Sequence, residues 1–244
     1  MRGSFLGPKF SADEAQETLE TLGAHLEVRS DDDLLEEVAD KLDAGLAIGW
    51  FQGRMEYGPR ALGARSIIAD ARRVDMQRNL NLRIKFRESF RPFAPAVLAE
   101  RAAAWFELDG DSPYMLFTAP VRHDKRLEVE DDGAQGLDKL KLVRSRVPAI
   151  THVDWSARLQ TVHPETNPRF YALLDRFYRK TDCPVIINTS FNIRGEPIVC
   201  SPEDAFRCFM GTGLDMLVVE NCVLYKDAQA QHLVAPYREQ FQLD

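Results

Sequence analysis

The sequence has no apolar run that approaches the length of a membrane span. A transmembrane helix needs about 20 consecutive apolar residues, and no stretch of the 244 residues comes near that length. The N-terminal stretch MRGSFLGPKFSADEAQ also lacks the apolar segment of a secretory signal. These absences predict a protein without a membrane partner or a leader, and we expect a cytoplasmic location.

Metal-binding and redox patterns are missing as well. The four cysteines show no CxxC spacing, and the five histidines form neither HxxxH nor HExxH. Zinc sites and disulfide scaffolds depend on such clusters. We therefore predict reduced, mostly buried thiols and no metal site made by this chain alone.

Two classes of nucleotide-binding and nucleic-acid-binding protein are disfavoured in the same way. The Walker pattern GxxxxGK[ST] of P-loop NTPases does not occur. The net charge is −7, whereas double-stranded nucleic acid requires a broad basic surface. A nucleic-acid partner is therefore not expected.

Positive charge is instead concentrated in one part of the chain. Residues 53–101 carry eleven Lys/Arg against five Asp/Glu, a local net charge of +6, so that the rest carries −13. Such a local field suits a local anion. The sequence therefore predicts a binding site for a small anionic ligand in this region.

The stretch KFRESFRPFAPAV contains the densest group of cations. Arg91 precedes a proline, which favours extended backbone, and on an extended segment Lys85 and Arg87 face the same side. Lys85, Arg87 and Arg91 would then converge on a polyphosphate or an acyl phosphate. A solvated face on which Glu88 is the partner is an equal alternative.

A second cationic stretch, FQGRMEYGPRALGARSI, places Arg54, Arg60 and Arg65 between glycines. Apolar residues on both sides indicate that part of this stretch is buried. A buried arginine needs an anionic partner, which is either Glu56 or a ligand. We favour a ligand.

Two further stretches carry polar side chains where strands end. In INTSFNIRGEPIV, Ser190 and Asn192 follow an apolar strand and precede Arg194, and they either bind a ligand or cap the loop. In THVDWSARLQ, Asp154 and Arg158 flank a turn. Arg158 either pairs with Asp154 or faces the same anion as the other cations.

Helix patterns alternate with strand patterns, which predicts an α/β fold (α+β, with one mixed sheet). Asn167-Pro168 and Ser201-Pro202-Glu203-Asp204 mark two helix starts, and DMLVVENCVLYK predicts a hairpin or a bent strand. No repeat or composition shift marks a boundary. We predict a single domain over residues 1–244, with 1–30 as a lead-in segment and 124–140 as a surface loop.

Four stretches in order resemble one family: GRMEYGPRALGARSI, RPFAPAVL, THVDWSARLQTV and NTSFNIRGEPIVCSPEDA. Together they are similar to the C-terminal domain of the NodU-type O-carbamoyltransferases over nearly the whole chain. The K-x-R pair at Lys85 and Arg87, followed by S-x-N at Ser190 and Asn192, resembles YrdC-like domains. The resemblance implies a YrdC-like open twisted sheet flanked by helices.

The resemblance also implies an activity. The family's C-terminal domain combines ATP, expected with Mg²⁺, and carbamoyl phosphate into carbamoyl-adenylate. A separate N-terminal domain of actin/hexokinase-like fold, which holds a metal ion, passes the carbamoyl group to a hydroxyl of a small molecule. That domain has no counterpart in this sequence, so the acceptor and the ability of this chain to act alone stay open.

Carried onto this chain, the resemblance assigns roles to eight cationic and polar side chains. The expected contacts are Arg60, Lys85 and Arg91 with phosphate groups, Arg87 as the second member of the K-x-R pair, Arg158 and Arg194 with carbamoyl phosphate, and Ser190 and Asn192 with the nucleotide. Arg60, Lys85 and Arg87 are the catalytic candidates. They would act by orientation and charge neutralisation, without a covalent intermediate.

Two other functions stay open beside this one. A threonylcarbamoyl-adenylate synthase of the same superfamily would act in tRNA modification, although a more basic surface is expected there. A nucleotide-binding subunit without catalytic activity, docked on a transferase, is the other.

Overall fold

The protein is described by a computed structural model that covers residues 3–128, 139, 142–233 and 237. The α-helices in these ranges are α1 Ala12–Thr21, α2 Asp31–Asp43, α3 Met76–Asn79, α4 Ala99–Trp105, α5 Pro168–Thr181 and α6 Pro202–Gly211. A single π-helical turn, Leu80–Ile84, continues α3. Among these described helices, none combines the length and the apolar character needed to cross a bilayer.

The strands fall into one large and one small sheet. Their bounds are β1 Glu27–Val28, β2 Ile48–Phe51, β3 Arg65–Asp70, β4 Ala94–Leu98, β5 Thr118–Pro120, β6 Ser156–Arg158, β7 Gln160–Val162, β8 Val185–Ser190, β9 Met216–Val219 and β10 Cys222–Tyr225. Short 3₁₀ turns lie at His123–Lys125, Pro148–Ile150, Lys226–Ala228 and Gln231–Leu233.

The large sheet mixes parallel and antiparallel neighbours. Within the described ranges its strand order is β1-β10-β9-β2-β3-β8-β4-β7, and β5 pairs with β6 separately. The β2–β9 and β4–β7 pairs are parallel, and the other neighbours are antiparallel. Helices flank the sheet: α2 and α5 pack on each other and on β3, β4 and β8, while α1 and α6 pack on each other and on β2, β9 and β10. The predicted α/β fold with one mixed sheet is confirmed.

Helix α5 shows how sequence pattern becomes packing. Asn167 caps the helix by accepting a hydrogen bond from Phe170 N at 3.2 Å. The four apolar side chains at helical spacing, Phe170, Leu173, Leu174 and Phe177, are completely buried. This element therefore forms as its sequence predicts and closes the core over the sheet.

The other marked elements also form. Ser201 and Asp204 make a reciprocal capping box at the start of α6. The stretch after Asp215 folds as the antiparallel β9–β10 hairpin, with Val219 opposite Cys222. The lead-in of residues 1–30 contributes α1 and the edge strand β1, which pairs with β10. Of the predicted surface loop 124–140, residues 129–138 and 140 lie outside the described residues.

The turn before β3 depends on Gly63, which has a φ of +98°. A Cβ atom at this position would lie 2.3 Å from the Phe170 ring. The backbone of the turn therefore lies directly against α5, and its carbonyl accepts from Trp50 Nε1 at 3.1 Å.

A pair of glycine substitutions separates packing from backbone strain. Gly110 also has a positive φ, +82°, but a Cβ there would meet no heavy atom within 4 Å. We expect Gly110→Ala to lower the free energy of unfolding by about 1–2 kcal/mol through backbone strain. Gly63→Ala should cost about 1–3 kcal/mol more, since the Phe170 ring must move as well. Urea unfolding of both variants measures the difference, and equal losses would contradict the packing of this turn on α5.

Candidate active site

Two adjoining cavities open beside the ends of β4 and β8. The first has a volume of about 470 Å³ and is lined by Pro59, Arg60, Ala61, Arg87, Arg91, Pro92, Phe93, Ala94, Met115, Thr118, His152, Arg158, Asn188, Thr189 and Ser190. The second, of about 430 Å³, is lined by Lys85, Arg87, Arg91, Ser190, Asn192, Ile193, Arg194 and Gly195. The two share Arg87, Arg91 and Ser190. The structure thus brings all eight residues singled out from the sequence to these two cavities.

The linings of both cavities contain several cations and no Asp or Glu. Burial and the neighbouring Arg91 lower the pKa of Arg87 to about 10. Burial, and then the nearby Arg60, lowers the pKa of Arg158. Cations that destabilise one another in this way are stabilised by a bound anion. The cavities therefore have the electrostatics of a site for a polyanionic ligand.

The buried amide of Asn81 positions the central arginines. Its Oδ1 accepts from Arg87 Nε at 2.5 Å, and its Nδ2 donates to the backbone oxygens of Arg91 at 2.8 Å and Ser89 at 3.1 Å. The Arg87 guanidinium also lies over the Phe93 ring, 4.9 Å from its centroid. Arg87 is therefore oriented by neutral groups, so that its charge is not cancelled.

The chain between Lys85 and Arg87 is not extended, so that expectation was wrong. The π-helical turn ends at Ile84, Lys85 keeps helical dihedrals, and Phe86 has a φ of +48°. A left-handed residue after a helix end reverses the chain direction, and such strain in a residue other than glycine is common at functional sites. Lys85 and Arg87 reach the same cavity through this turn.

Lys85 is almost completely buried at 3% exposure. Its Nζ donates to the backbone oxygens of Ser190 and of Asn192, the latter at 2.9 Å, and to Asn192 Oδ1 at 2.9 Å. Burial, and then Arg87, lowers the pKa of Lys85 to about 7. The oxygen acceptors around the ammonium oppose that effect, because they favour its charged form. Lys85 therefore fixes the loop that follows β8.

The far side of that loop is held by Glu196. Asn192 Nδ2 donates to the Glu196 backbone oxygen at 2.7 Å, and Ile193 N donates to Glu196 Oε2 at 2.8 Å. The Nη1 atom of Arg194 lies 3.5 Å from the Oε1 atom of Glu88. Glu88 therefore pairs with Arg194, although the sequence suggested it as a partner for the K-x-R pair.

In the stretch that carries Arg60, the buried acid stabilises the backbone. Glu56 Oε1 accepts hydrogen bonds from the backbone N–H of Leu62 at 2.6 Å and of Ala64 at 2.7 Å. These bonds close the loop on which Arg60 is exposed at the mouth of the first cavity. Glu56 thus fixes the loop while leaving Arg60 available to a ligand.

Arg65, by contrast, has its hydrogen-bond partners within the protein. The sequence-based interpretation, in which a ligand is the partner of the buried arginine, is therefore wrong for this residue. Its side chain is fully buried, and its guanidinium donates to the backbone oxygens of Gln52 at 3.1 Å and Ala64 at 3.0 Å. It also lies 3.4 Å from the centroid of the Phe51 ring. Carbonyl oxygens and an aromatic face thus contact the guanidinium. Burial lowers the pKa of Arg65 to about 10, and the charges of Glu56 and Glu220 oppose that effect.

Arg158 enters the first cavity from β6, where it pairs with Thr118 of β5. Asp154 Oδ1 accepts from Ser156 N at 3.0 Å and from Ser156 Oγ at 2.7 Å, which accounts for this carboxylate within the turn. The Arg158 Nε is buried and has no hydrogen-bond partner among the described residues. Of the two interpretations from the sequence, the one in which Arg158 faces an anion fits this arrangement.

Sequence reasoning missed three residues that shape the site: Asn81, Thr118 and His152. Burial lowers the pKa of His152, with a smaller opposing effect from Asp154, so the imidazole that lines the first cavity favours the neutral form. One signal was present for Asn81, which stands between two leucines in an apolar turn. A polar residue that is buried at such a position needs hydrogen-bond partners.

Comparisons with known proteins find similarity over most of the chain. Residues 39–226 match the family model of the carbamoyltransferase C-terminus. An uncharacterized protein of Synechocystis sp. is 57% identical over 100% of this chain and 40% of its own length. Nodulation protein NolO of Bradyrhizobium diazoefficiens is 42% identical over 88% of this chain and 37% of its own.

A relative with a printed activity is the 3'-hydroxymethylcephem-O-carbamoyltransferase of Streptomyces clavuligerus. It is 36% identical over 70% of this chain and 29% of its own length. The chain thus spans less than half the length of these curated relatives.

Replacing one cavity arginine should separate stability from anion binding. Arg158→Met removes a partly buried cation beside Arg60, where no carboxylate lines the cavity. We expect the free energy of unfolding to stay constant or rise, while inorganic pyrophosphate binds about tenfold or more weakly through loss of a charge-assisted contact. Calorimetric titration and urea unfolding measure the two quantities.

The matched control is Arg122→Met. Arg122 is exposed, lies 3.2 Å from Asp124 and lines neither cavity. The Arg122→Met variant should bind pyrophosphate with the same affinity as the unaltered chain. An Arg158→Met variant that loses stability and keeps its affinity would contradict the ligand-facing role.

Proposed function

The chain belongs to the family of carbamoyltransferase C-terminal domains, and we propose that it binds ATP and carbamoyl phosphate and forms carbamoyl-adenylate. The observation that supports this proposal is the pair of adjoining cavities with cationic linings that contain no carboxylate. Two phosphorylated substrates have to approach each other in this reaction. Arg87 and Arg91, which line both cavities, would neutralise charge where the substrates meet.

The proposed reaction balances with one water molecule. Water releases inorganic phosphate from carbamoyl phosphate and leaves carbamate. A carbamate oxygen then forms a bond to the α-phosphorus of ATP, and the bond to the β,γ-pyrophosphate breaks. The products are carbamoyl-adenylate, pyrophosphate and phosphate. The second step brings one anion, carbamate, to another, ATP, and clustered arginines lower the barrier to that approach.

The two cavities suggest a division of the substrates. Arg60 and Arg158, in the first cavity, would bind the phosphate of carbamoyl phosphate by charge-assisted hydrogen bonds. Arg194, which the resemblance assigned to carbamoyl phosphate, lines the second cavity instead. There Arg194 and the loop anchored by Lys85 would bind the nucleotide phosphates. Ser190 lies between the two cavities and would contact the nucleotide near its α-phosphate.

Magnesium would enter with the nucleotide. Among the described residues there is no group of three or more His, Cys, Asp or Glu side chains that could hold a metal ion. Mg²⁺ is commonly bound by substrate phosphates and water with few protein carboxylates. The ion would therefore neutralise phosphate charge, and the arginines of this chain would orient the same oxygens.

The transfer step is proposed to need more protein than this chain. The curated relatives extend well beyond the matched region, which makes up 40%, 37% and 29% of their lengths. We propose that the carbamoyl group passes from carbamoyl-adenylate to a small-molecule hydroxyl in a separate domain or subunit. The acceptor contacts would lie there.

Exchange of labelled pyrophosphate into ATP tests the adenylation step. We expect exchange by this chain that depends on added carbamoyl phosphate, since carbamoyl-adenylate formation releases pyrophosphate reversibly. Exchange that depends on threonine and bicarbonate would instead show a threonylcarbamoyl-adenylate synthase. Nucleotide binding without any exchange would show a binding subunit and overturn the proposal.

The dependence of this exchange on carbamoyl phosphate concentration tests which residues bind that substrate. Arg60→Ala should weaken binding of carbamoyl phosphate by about 1–3 kcal/mol through the loss of one charge-assisted contact. Arg122→Ala, on the exposed surface, serves as the control and should leave exchange unchanged. Equal activity of the two variants would exclude Arg60 from the site.

A further inference from the structure

We propose that Asn188 recognises the amide nitrogen of carbamoyl phosphate and thereby distinguishes a carbamoyl group from an acetyl group. This inference rests on the proposed function, because it concerns which acyl phosphate the first cavity accepts. Asn188 lies on β8, is completely buried and lines that cavity. It is two residues from Ser190, so the two side chains share one face of the strand.

The orientation of the Asn188 amide is fixed by its neighbours. Its Nδ2 donates to the Ala61 backbone oxygen at 3.2 Å and to Gln160 Oε1 at 2.7 Å. Gln160 Nε2 in turn donates to the Leu62 backbone oxygen at 2.9 Å. Backbone carbonyls only accept hydrogen bonds, so both amides are held one way round. Asn188 Oδ1 is therefore the atom to which this network donates no hydrogen bond.

That oxygen is buried and has no hydrogen-bond partner among the described residues. A buried acceptor without a partner destabilises a folded protein, and it is a reason to look for a bound group. Among the described residues, two buried side-chain atoms without a hydrogen-bond partner belong to residues that line the first cavity: Asn188 Oδ1 and Arg158 Nε. The residues that line the cavity thus include one unsatisfied acceptor and one unsatisfied donor.

The ligand that satisfies both atoms must accept and donate. The arginines of the cavity are donors only, so phosphate and carbonyl oxygens suffice for them. Asn188 Oδ1 needs an N–H or O–H group. Carbamoyl phosphate carries an NH₂ group on the carbon that bears its phosphate, whereas acetyl phosphate has a methyl group of nearly the same size there. A methyl group would leave Asn188 Oδ1 without a partner.

The prediction is a preference that the unaltered chain shows without any substitution. We expect carbamoyl phosphate to bind at least about tenfold more tightly than acetyl phosphate, because a site built around a hydrogen-bonding group discriminates against an analogue that lacks it. Calorimetric titration with each acyl phosphate gives the ratio. Inorganic phosphate, titrated in parallel, reports on the arginines alone.

Two variants assign the preference to one atom. Asn188→Ala removes Oδ1 and should bring the ratio of the two affinities to within about threefold, with phosphate affinity kept. Gln160→Ala is the matched control, because it breaks the same Nδ2 to Oε1 hydrogen bond but leaves Oδ1 in place. It should keep the ratio of the unaltered chain.

The outcomes separate this inference from the proposed function. If the unaltered chain binds both acyl phosphates equally, the inference is overturned and the proposed function stands. If it binds neither, both are overturned. An Asn188→Ala variant that keeps the preference, or that loses affinity for all three ligands alike, overturns the inference and leaves a structural role for Asn188.

Discussion

The site depends on holding arginines close together without cancelling their charge. Carboxylates would be the simplest groups to position a guanidinium, but each would neutralise one cation. Two of the cations are held by neutral acceptors instead: Asn81 orients Arg87, and the backbone and side-chain oxygens of Ser190 and Asn192 surround the Lys85 ammonium. The cost is burial of the charge and then repulsion from Arg91, which together lower the pKa of Arg87. A bound polyanion would remove that cost.

Several arginines outside the two cavities are paired with carboxylates. Arg72 contacts Asp70 at 2.7 Å, Arg169 contacts Asp31 at 2.8 Å, and Arg176 contacts Asp32 at 2.5 Å. All three pairs neutralise charge. Those of Arg169 and Arg176 involve exposed aspartates and contribute little to stability, whereas Arg72 pairs with the buried Asp70. Near the cavities, the buried acid Glu56 accepts from backbone N–H groups. Glu56 is thus used to build a loop, and no carboxylate lines the first cavity beside its arginines.

Local patterns predicted the fold well, and they predicted less of the site. The capped helix after Asn167 and the β9–β10 hairpin follow from spacing and caps, which are properties of neighbouring residues. The gathering of Lys85, Arg158 and Arg194 was anticipated from a family resemblance. The backbone at Phe86 was not, because a left-handed phenylalanine contradicts local preference and is imposed by tertiary packing. Asparagines are equally hard to interpret: Asn188 looks like a loop residue in sequence, and its burial depends on strands far away in the chain.

The structure of the chain with a non-hydrolysable ATP analogue and carbamoyl phosphate would show whether the two cavities bind both substrates. We expect phosphoryl groups in both cavities, with Arg60 and Arg158 contacting one ligand and Arg87 and Arg91 lying between the two. Phosphoryl groups bound outside both cavities, with these four guanidinium groups left in solvent, would contradict this expectation.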